Sequence, residues 1–89
     1  MLKTKKGFMF RQLGEEYVVV PIGAAGKELK GMIRLNKTGA YLWEELSSGS
    51  TQDDLVRKVL ARYDGIDEQT ASADVERFLD AVSMAIEDV

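Results

Sequence analysis

The chain has no cysteine and no histidine among its 89 residues. The first absence excludes a disulfide framework and thiolate metal sites, and the second removes the commonest transition-metal ligand and the usual neutral general base. No apolar run approaches the roughly 20 residues that span a bilayer, and the basic start at residues 1–6 is not followed by the apolar core of a signal peptide. These absences predict a cytoplasmic protein, away from membranes, with no catalytic residues, metal or cofactor.

Apolar residues make up 45% of the chain, which is ordinary for a globular protein. The length allows one small core, so a single domain over residues 1–89 is expected. Charge is divided unevenly: residues 1–37 hold eight Lys or Arg against three Glu, and residues 38–89 hold four against twelve Asp or Glu. This division is compatible with attraction of a charged partner and with an ordinary solvated surface.

Three strands are predicted in the first part of the chain. Residues 8–13 and 16–22 are rich in aromatic and β-branched side chains, and a Gly-Glu pair between them indicates a tight turn. Residues 30–35 alternate, so that Ile33 and Leu35 share one face of the strand. Because this strand ends the run, we expect one side of its backbone to be an open edge.

Three helices are predicted after the strands, over residues 38–47, from about 52 to 63, and from 68 to 89. Each follows a side chain suited to accept hydrogen bonds from the first helical turn: Asn36 or Thr38, Ser50 or Thr51, and Asp67. Three antiparallel strands followed by three helices give an α+β fold with a winged helix-turn-helix-like layout.

A winged helix suggests DNA binding through its third helix, but the charge of this segment disfavours that function. Residues 67–89 contain seven acidic side chains and one basic side chain, Arg77. Because Lys and Arg contacts to phosphates supply much of the affinity for nucleic acid, an acidic helix would be repelled. Nucleic acid is therefore not an expected partner, and a DNA-binding protein is the least favoured of the functions considered.

Residues 31–46 read Gly-Met-Ile-Arg-Leu-Asn-Lys-Thr-Gly-Ala-Tyr-Leu-Trp-Glu-Glu-Leu. This stretch resembles the signature of the PqqD-like family, whose namesake is pyrroloquinoline quinone biosynthesis protein D. The resemblance implies a non-catalytic protein that binds the leader of a ribosomally made precursor peptide and presents it to a modifying enzyme, often a radical S-adenosylmethionine enzyme. It further implies that the peptide adds as a strand beside the third strand, in a groove walled by the third helix.

The resemblance selects two sets of candidate peptide-binding residues. The third strand contributes Lys30, Gly31, Met32, Ile33, Arg34 and Leu35. One flank of the third helix contributes Asp74, Phe78, Ala81 and Ala85. The opposite flank, with Ser72, Leu79 and Ser83, is an open alternative. For any one apolar residue among them, a role in the core is the commoner outcome.

The second predicted strand is apolar on both faces, although the three helices would cover only one face of the sheet. The N-terminal segment, a second copy of the chain or a partner protein remain open as the cover of the other face. A homodimer is accordingly one expectation. A module that docks on a partner enzyme without touching a peptide is the main alternative function.

Overall fold

The computed structural model describes residues 1–23 and 32–89. Its strands and helices, in chain order, are β1 Leu2–Thr4, β2 Phe8–Leu13, β3 Glu16–Pro21, β4 Ile33–Leu35, α1 Lys37–Ser47, α2 Gln52–Arg62, α3 Glu68–Ala81, a 3-10 turn Ser83–Ala85, and β5 Ile86–Asp88. Strands β2, β3 and β4 form an antiparallel sheet in that order, and β1 pairs with β5. The predicted α+β arrangement of three strands followed by three helices is confirmed.

The strands of the three-stranded sheet lie close to their predicted positions. β2 matches its predicted bounds, and Gly14 in the turn that follows has a φ of +64°. β3 ends at Pro21, which has no N–H to donate to a further pairing. β4 occupies only the end of the predicted third strand. Within that prediction, Met32 precedes β4, and Lys30 and Gly31 lie outside the described residues.

All three helices begin after one of the predicted capping residues. The side chain of Asn36, rather than Thr38, accepts a hydrogen bond from the Gly39 N–H at 2.7 Å. Thr51, rather than Ser50, caps α2. Asp67 caps α3 by accepting from the Thr70 N–H at 2.7 Å, and this hydrogen bond holds the pKa of the Asp67 carboxyl below its ordinary value of 3.8.

Replacing the cap of α1 is expected to weaken the fold measurably. Asn36→Ala leaves the Gly39 N–H without its acceptor, which should lower the free energy of unfolding by about 1 kcal/mol. In a domain of this size, that loss corresponds to a fall in Tm of about 4–8 °C in thermal unfolding followed by circular dichroism. Asn36→Asp, which retains an acceptor oxygen, is the control and should stay near the wild-type Tm. Equal falls in both variants would contradict the capping role.

The predicted end of the third helix is wrong. α3 ends at Ala81, and residues 86–88 form β5, which pairs with β1 from the start of the chain. Continuing the helix would have placed the carboxylates of Glu87 and Asp88 at its negative C-terminal end, which is unfavourable. Ala85 consequently lies in the 3-10 turn, completely buried, and its carbonyl accepts from the Lys5 N–H at 2.8 Å. Its predicted place on the third-helix wall is therefore corrected.

One core joins the sheet to the helices. It contains Val19, Leu42, Trp43, Leu46, Leu55, Val56, Val59, Ala71, Val75, Phe78, Val82 and Ala85. Phe8, Phe10, Ile33 and Leu35 pack against it from the inner face of the sheet. In residues 1–23 and 32–89, no helix combines the length and apolar character needed to cross a membrane.

The N-terminal strand β1 does not cover the outer face of the sheet: it pairs with β5, and its Leu2 packs against the core on the helix side. Val18 points to this outer face and is nevertheless completely buried. In the antiparallel register it is flanked by Arg11 on β2 and Arg34 on β4, whose aliphatic stems share its face. A second copy of the chain and a partner protein stay open as the cover of this face.

Candidate functional site

The direction of the backbone groups in β3 follows from one hydrogen bond at its end. The Ile22 N–H donates to the Gly7 carbonyl at 2.8 Å, so residue 22 is bonded on the β2 side. Successive residues of a strand direct their N–H and C=O groups to opposite sides. Counting back from Ile22 through the unbroken register, Val19 and Tyr17 direct theirs toward β4.

The same alternation fixes which residue of β4 faces away from the sheet. Val19 is paired with Ile33, and Tyr17 with Leu35, so Ile33 and Leu35 are bonded inward to β3. Arg34 lies between them and directs its N–H and C=O away from β3. Among the described residues β4 is an edge strand, so these two groups of Arg34 face an open edge.

A groove of about 290 Å³ lies between β4, the start of α1 and one flank of α3. It is lined by Arg34, Leu35, Asn36, Thr38, Gly39, Leu42, Asp74, Arg77, Phe78 and Ala81. The flank of α3 that faces it is therefore the one with Asp74, Phe78 and Ala81. The alternative flank, with Ser72, Leu79 and Ser83, does not line the groove.

The inner part of the groove is apolar. Leu42 is completely buried and Phe78 is 6% exposed, whereas Ala81, at the end of α3, is exposed and small enough to leave room beside them. Gly39 permits close approach of α1 to β4, because a Cβ there would lie 3.2 Å from the Leu35 Cβ. The groove can therefore receive an apolar side chain from a segment laid along β4.

The rim of the groove carries charge. Arg34 is exposed on β4, and on α3 the Arg77 guanidinium pairs with the Asp74 carboxylate. Within the groove the Asp74 carboxylate is thus engaged by Arg77, and the Arg34 side chain lies at the edge of the groove, on the outer face of β4. The Arg34 guanidinium favours an anionic group on a bound chain where that chain passes the outer face of β4.

Five of the ten predicted site residues line the groove: Arg34, Leu35, Asp74, Phe78 and Ala81. Ile33 packs against the core, and Met32 is exposed before β4. Ala85 is enclosed in the core, and Lys30 and Gly31 fall outside the described residues. The predicted place of Ala85 on the wall is corrected, and peptide contact stays a prediction for the other nine residues.

Sequence reasoning missed five lining residues: Asn36, Thr38, Gly39, Leu42 and Arg77. The first three belong to the Leu-Asn-x-Thr-Gly-Ala stretch that carried the family resemblance, and Asn36 and Thr38 were considered there only as caps of the first helix. Leu42 belongs to the core as well as to the groove lining. Arg77 had one usable signal, its position three residues after Asp74 on the same helix face.

Comparison with known proteins identifies one matching family and two solved structures with a similar fold. The family described as "Coenzyme PQQ synthesis protein D (PqqD)" matches residues 12–84. A search of curated proteins finds no match. A solved structure described as "TbiB1 in Complex with the TbiA(beta) Leader Peptide" is similar with a TM-score of 0.75 at 20% identity, over 98% of this chain and 96% of that chain. Another, "Lasso peptide synthetase B1 complexed with the leader peptide", has a TM-score of 0.74 at 13% identity, over 98% of both chains.

Proposed function

This chain belongs to the PqqD family, and on that basis we propose that it is a non-catalytic leader-peptide-binding protein that presents a ribosomally made precursor peptide to a modifying enzyme. The observation that carries the proposal is the groove beside the open edge of β4. Both structurally similar proteins are described as complexes with a leader peptide, which supports a peptide as the occupant. In this proposal residues 1–89 act as one peptide-recognition domain.

We propose that the peptide binds by strand addition. The N–H and C=O of Arg34 would form hydrogen bonds with the backbone of the added strand, which would extend the sheet in an antiparallel or a parallel direction. Side chains of a strand alternate between its two faces, so alternate peptide residues would point toward Phe78 and Ala81 in the groove. The residue between them would lie beside the Arg34 side chain on the outer face, where a carboxylate is favoured.

The second partner in this proposal is the enzyme that modifies the peptide. Its assignment to the radical S-adenosylmethionine class rests on the family resemblance alone and is part of the proposal. A cytoplasmic location and a homodimer likewise stay predictions. The enzyme partner is tested by the activity of that enzyme with and without this chain. The location is tested by localising a tagged copy, and the homodimer by sedimentation of the purified protein.

The proposal predicts a salt-dependent effect of reversing the charge at the edge strand. Fluorescence anisotropy would measure binding of labelled candidate leader peptides that carry Asp or Glu, each taken from a short open reading frame that flanks this gene. Arg34→Glu should weaken that binding about tenfold at low ionic strength, and most of the difference should disappear near 1 M salt, where the Debye length falls to about 3 Å.

The matched control is Arg11→Glu, which makes the same charge change on the outer face of the sheet but two strands away, on β2. It should alter the affinity by less than about threefold, because β3 lies between Arg11 on β2 and the edge strand β4. Equal losses in both variants would indicate only a general charge effect. If no such leader binds the wild-type chain while the enzyme does, the enzyme-docking module without a peptide becomes the better account.

A further inference from the structure

A second hollow, of about 370 Å³, lies on the side of α1 away from the groove. It is lined by Tyr17, Lys37, Ala40, Tyr41, Glu44, Arg62 and Tyr63, from β3, α1 and the end of α2. We call it the tyrosine hollow. The groove and the tyrosine hollow share no lining residue, because α1 turns Thr38, Gly39 and Leu42 toward one and a different set toward the other.

Aromatic side chains of the tyrosine hollow are held in place within the free protein. The Arg62 guanidinium carbon lies 4.4 Å from the centroid of the Tyr41 ring, a cation–π contact. The Tyr17 ring stacks on Phe10 with centroids 6.0 Å apart and planes 4° from parallel. A partner that binds here would therefore order few side chains, and that lowers the entropic cost of association.

The lining of the tyrosine hollow carries more positive than negative charge. Lys37 and Arg62 line it, against the single carboxylate of Glu44. The neighbouring Glu45 is directed to Lys58, with its carboxylate oxygen 2.9 Å from the ammonium nitrogen. An occupant with a carboxylate would therefore meet a guanidinium and an ammonium, and the tyrosine hydroxyls could also donate to it.

The exposure of the lining favours a protein over a free small molecule. Of the seven residues that line the hollow, only Ala40 is buried, and the others are half-buried or exposed. A small carboxylate would remain largely hydrated there and gain little. A carboxylate on a protein surface arrives with neighbouring groups that exclude water around the contact, and tyrosine and arginine are the residues that dominate such contacts.

We propose that the tyrosine hollow is the docking site for the modifying enzyme, which inserts an acidic side chain between Arg62, Lys37 and the tyrosine rings. This inference rests on the proposed function, since it takes the enzyme as the second partner. It adds that enzyme and peptide occupy opposite sides of α1 at the same time. The enzyme is thus held by a surface that the leader peptide leaves free.

The test compares two charge reversals on the same helix. Arg62→Glu reverses one of the two cations of the hollow, and Arg57→Glu makes the same change at an exposed arginine of α2 outside the hollow. The probe is a purified candidate modifying enzyme, chosen from the genes that flank this one, titrated by biolayer interferometry against each full-length variant. We expect Arg62→Glu to weaken enzyme binding at least about tenfold and Arg57→Glu to leave it within about threefold. Both variants should bind the labelled leader peptide as the wild type does.

The possible outcomes separate this inference from the function on which it rests. Enzyme binding that falls equally in both variants, or in neither, overturns the docking site. A wild-type chain that binds leader peptide but not the enzyme also overturns it and leaves leader binding intact. Failure to bind any leader, with the Arg62 effect preserved, contradicts the leader-binding function and supports the docking site. A homodimer in sedimentation that Arg62→Glu dissociates would assign the hollow to a second copy of the chain and overturn the enzyme as its occupant.

Discussion

Replacing Arg34 by proline is expected to abolish strand addition while leaving the fold intact. The Arg34 N–H faces the edge of β4 that is open among residues 1–23 and 32–89, and it makes no bond to β3, so proline removes a donor that an added strand would use. Its ring also obstructs the approach of an added strand. Leader affinity should fall at least about tenfold further than in Arg34→Ala, which loses the charge but keeps the N–H. Isothermal titration calorimetry of both variants with the same leader gives the comparison.

The fold is monitored in the same samples. Arg34→Pro should unfold cooperatively with a Tm within a few degrees of Arg34→Ala, because edge positions tolerate proline. Ile33→Pro is the contrasting variant: its N–H is bonded to β3, so it should lower the Tm strongly. Peptide binding that is equal in folded Arg34→Pro and Arg34→Ala would show that the peptide does not use this edge.

The starts of the elements were predictable because their chemistry is local. Asn36, Thr51 and Asp67 each accept a hydrogen bond from an N–H three residues later, and such side chains are recognisable from sequence. The turn at Gly14 is equally local, since its positive φ favours glycine. Where a signal and its structural effect lie within four residues, the sequence was sufficient.

The strand that follows α3 was not predictable because its pairing partner lies at the other end of the chain, and the acidic Glu87 and Asp88 were the one local signal against a longer helix. The apolar spacing of Val75, Phe78 and Val82 continues to Ile86, and no glycine or proline interrupts it. The segment leaves the helix to pair with β1, more than 80 residues earlier, and single-sequence periodicity contains no information about that pairing. Because the helix was predicted to continue, Ala85 was predicted to line the groove, although it lies in the core.

The groove was predictable in part. Alternation in β4 placed Arg34 on the outer face, and the family resemblance directed attention to Asp74, Phe78 and Ala81. Which flank of α3 faces the groove required the packing of the helix against α1. The direction of the Arg34 N–H required the register across two strand pairs, which is a property of the sheet and not of the strand's own residues.

Filling the groove from α3 is expected to block the peptide without unfolding the protein. Ala81 is exposed at the last position of α3 and lines the groove, so Ala81→Trp places an indole where a peptide side chain would sit. Trp is only slightly poorer than Ala in a helix, and an exposed position should accommodate it. The affinity for the leader peptide should fall at least about tenfold, which is 1.4 kcal/mol or more of binding free energy.

Ala73→Trp supplies the matched control, because Ala73 is also an exposed alanine of α3 but does not line the groove. The two variants carry the same added bulk and the same change in helix propensity, so they should have similar Tm values. Only Ala81→Trp should lose leader binding. If Ala73→Trp loses it equally, the peptide contacts the outward face of α3. If neither variant loses it, the peptide does not enter the groove, and the edge of β4 alone would have to account for the affinity.

A combined result in which Arg34→Pro and Ala81→Trp both lose binding, while Ala73→Trp and Arg34→Ala retain most of it, requires a peptide that lies along β4 with side chains directed at Phe78.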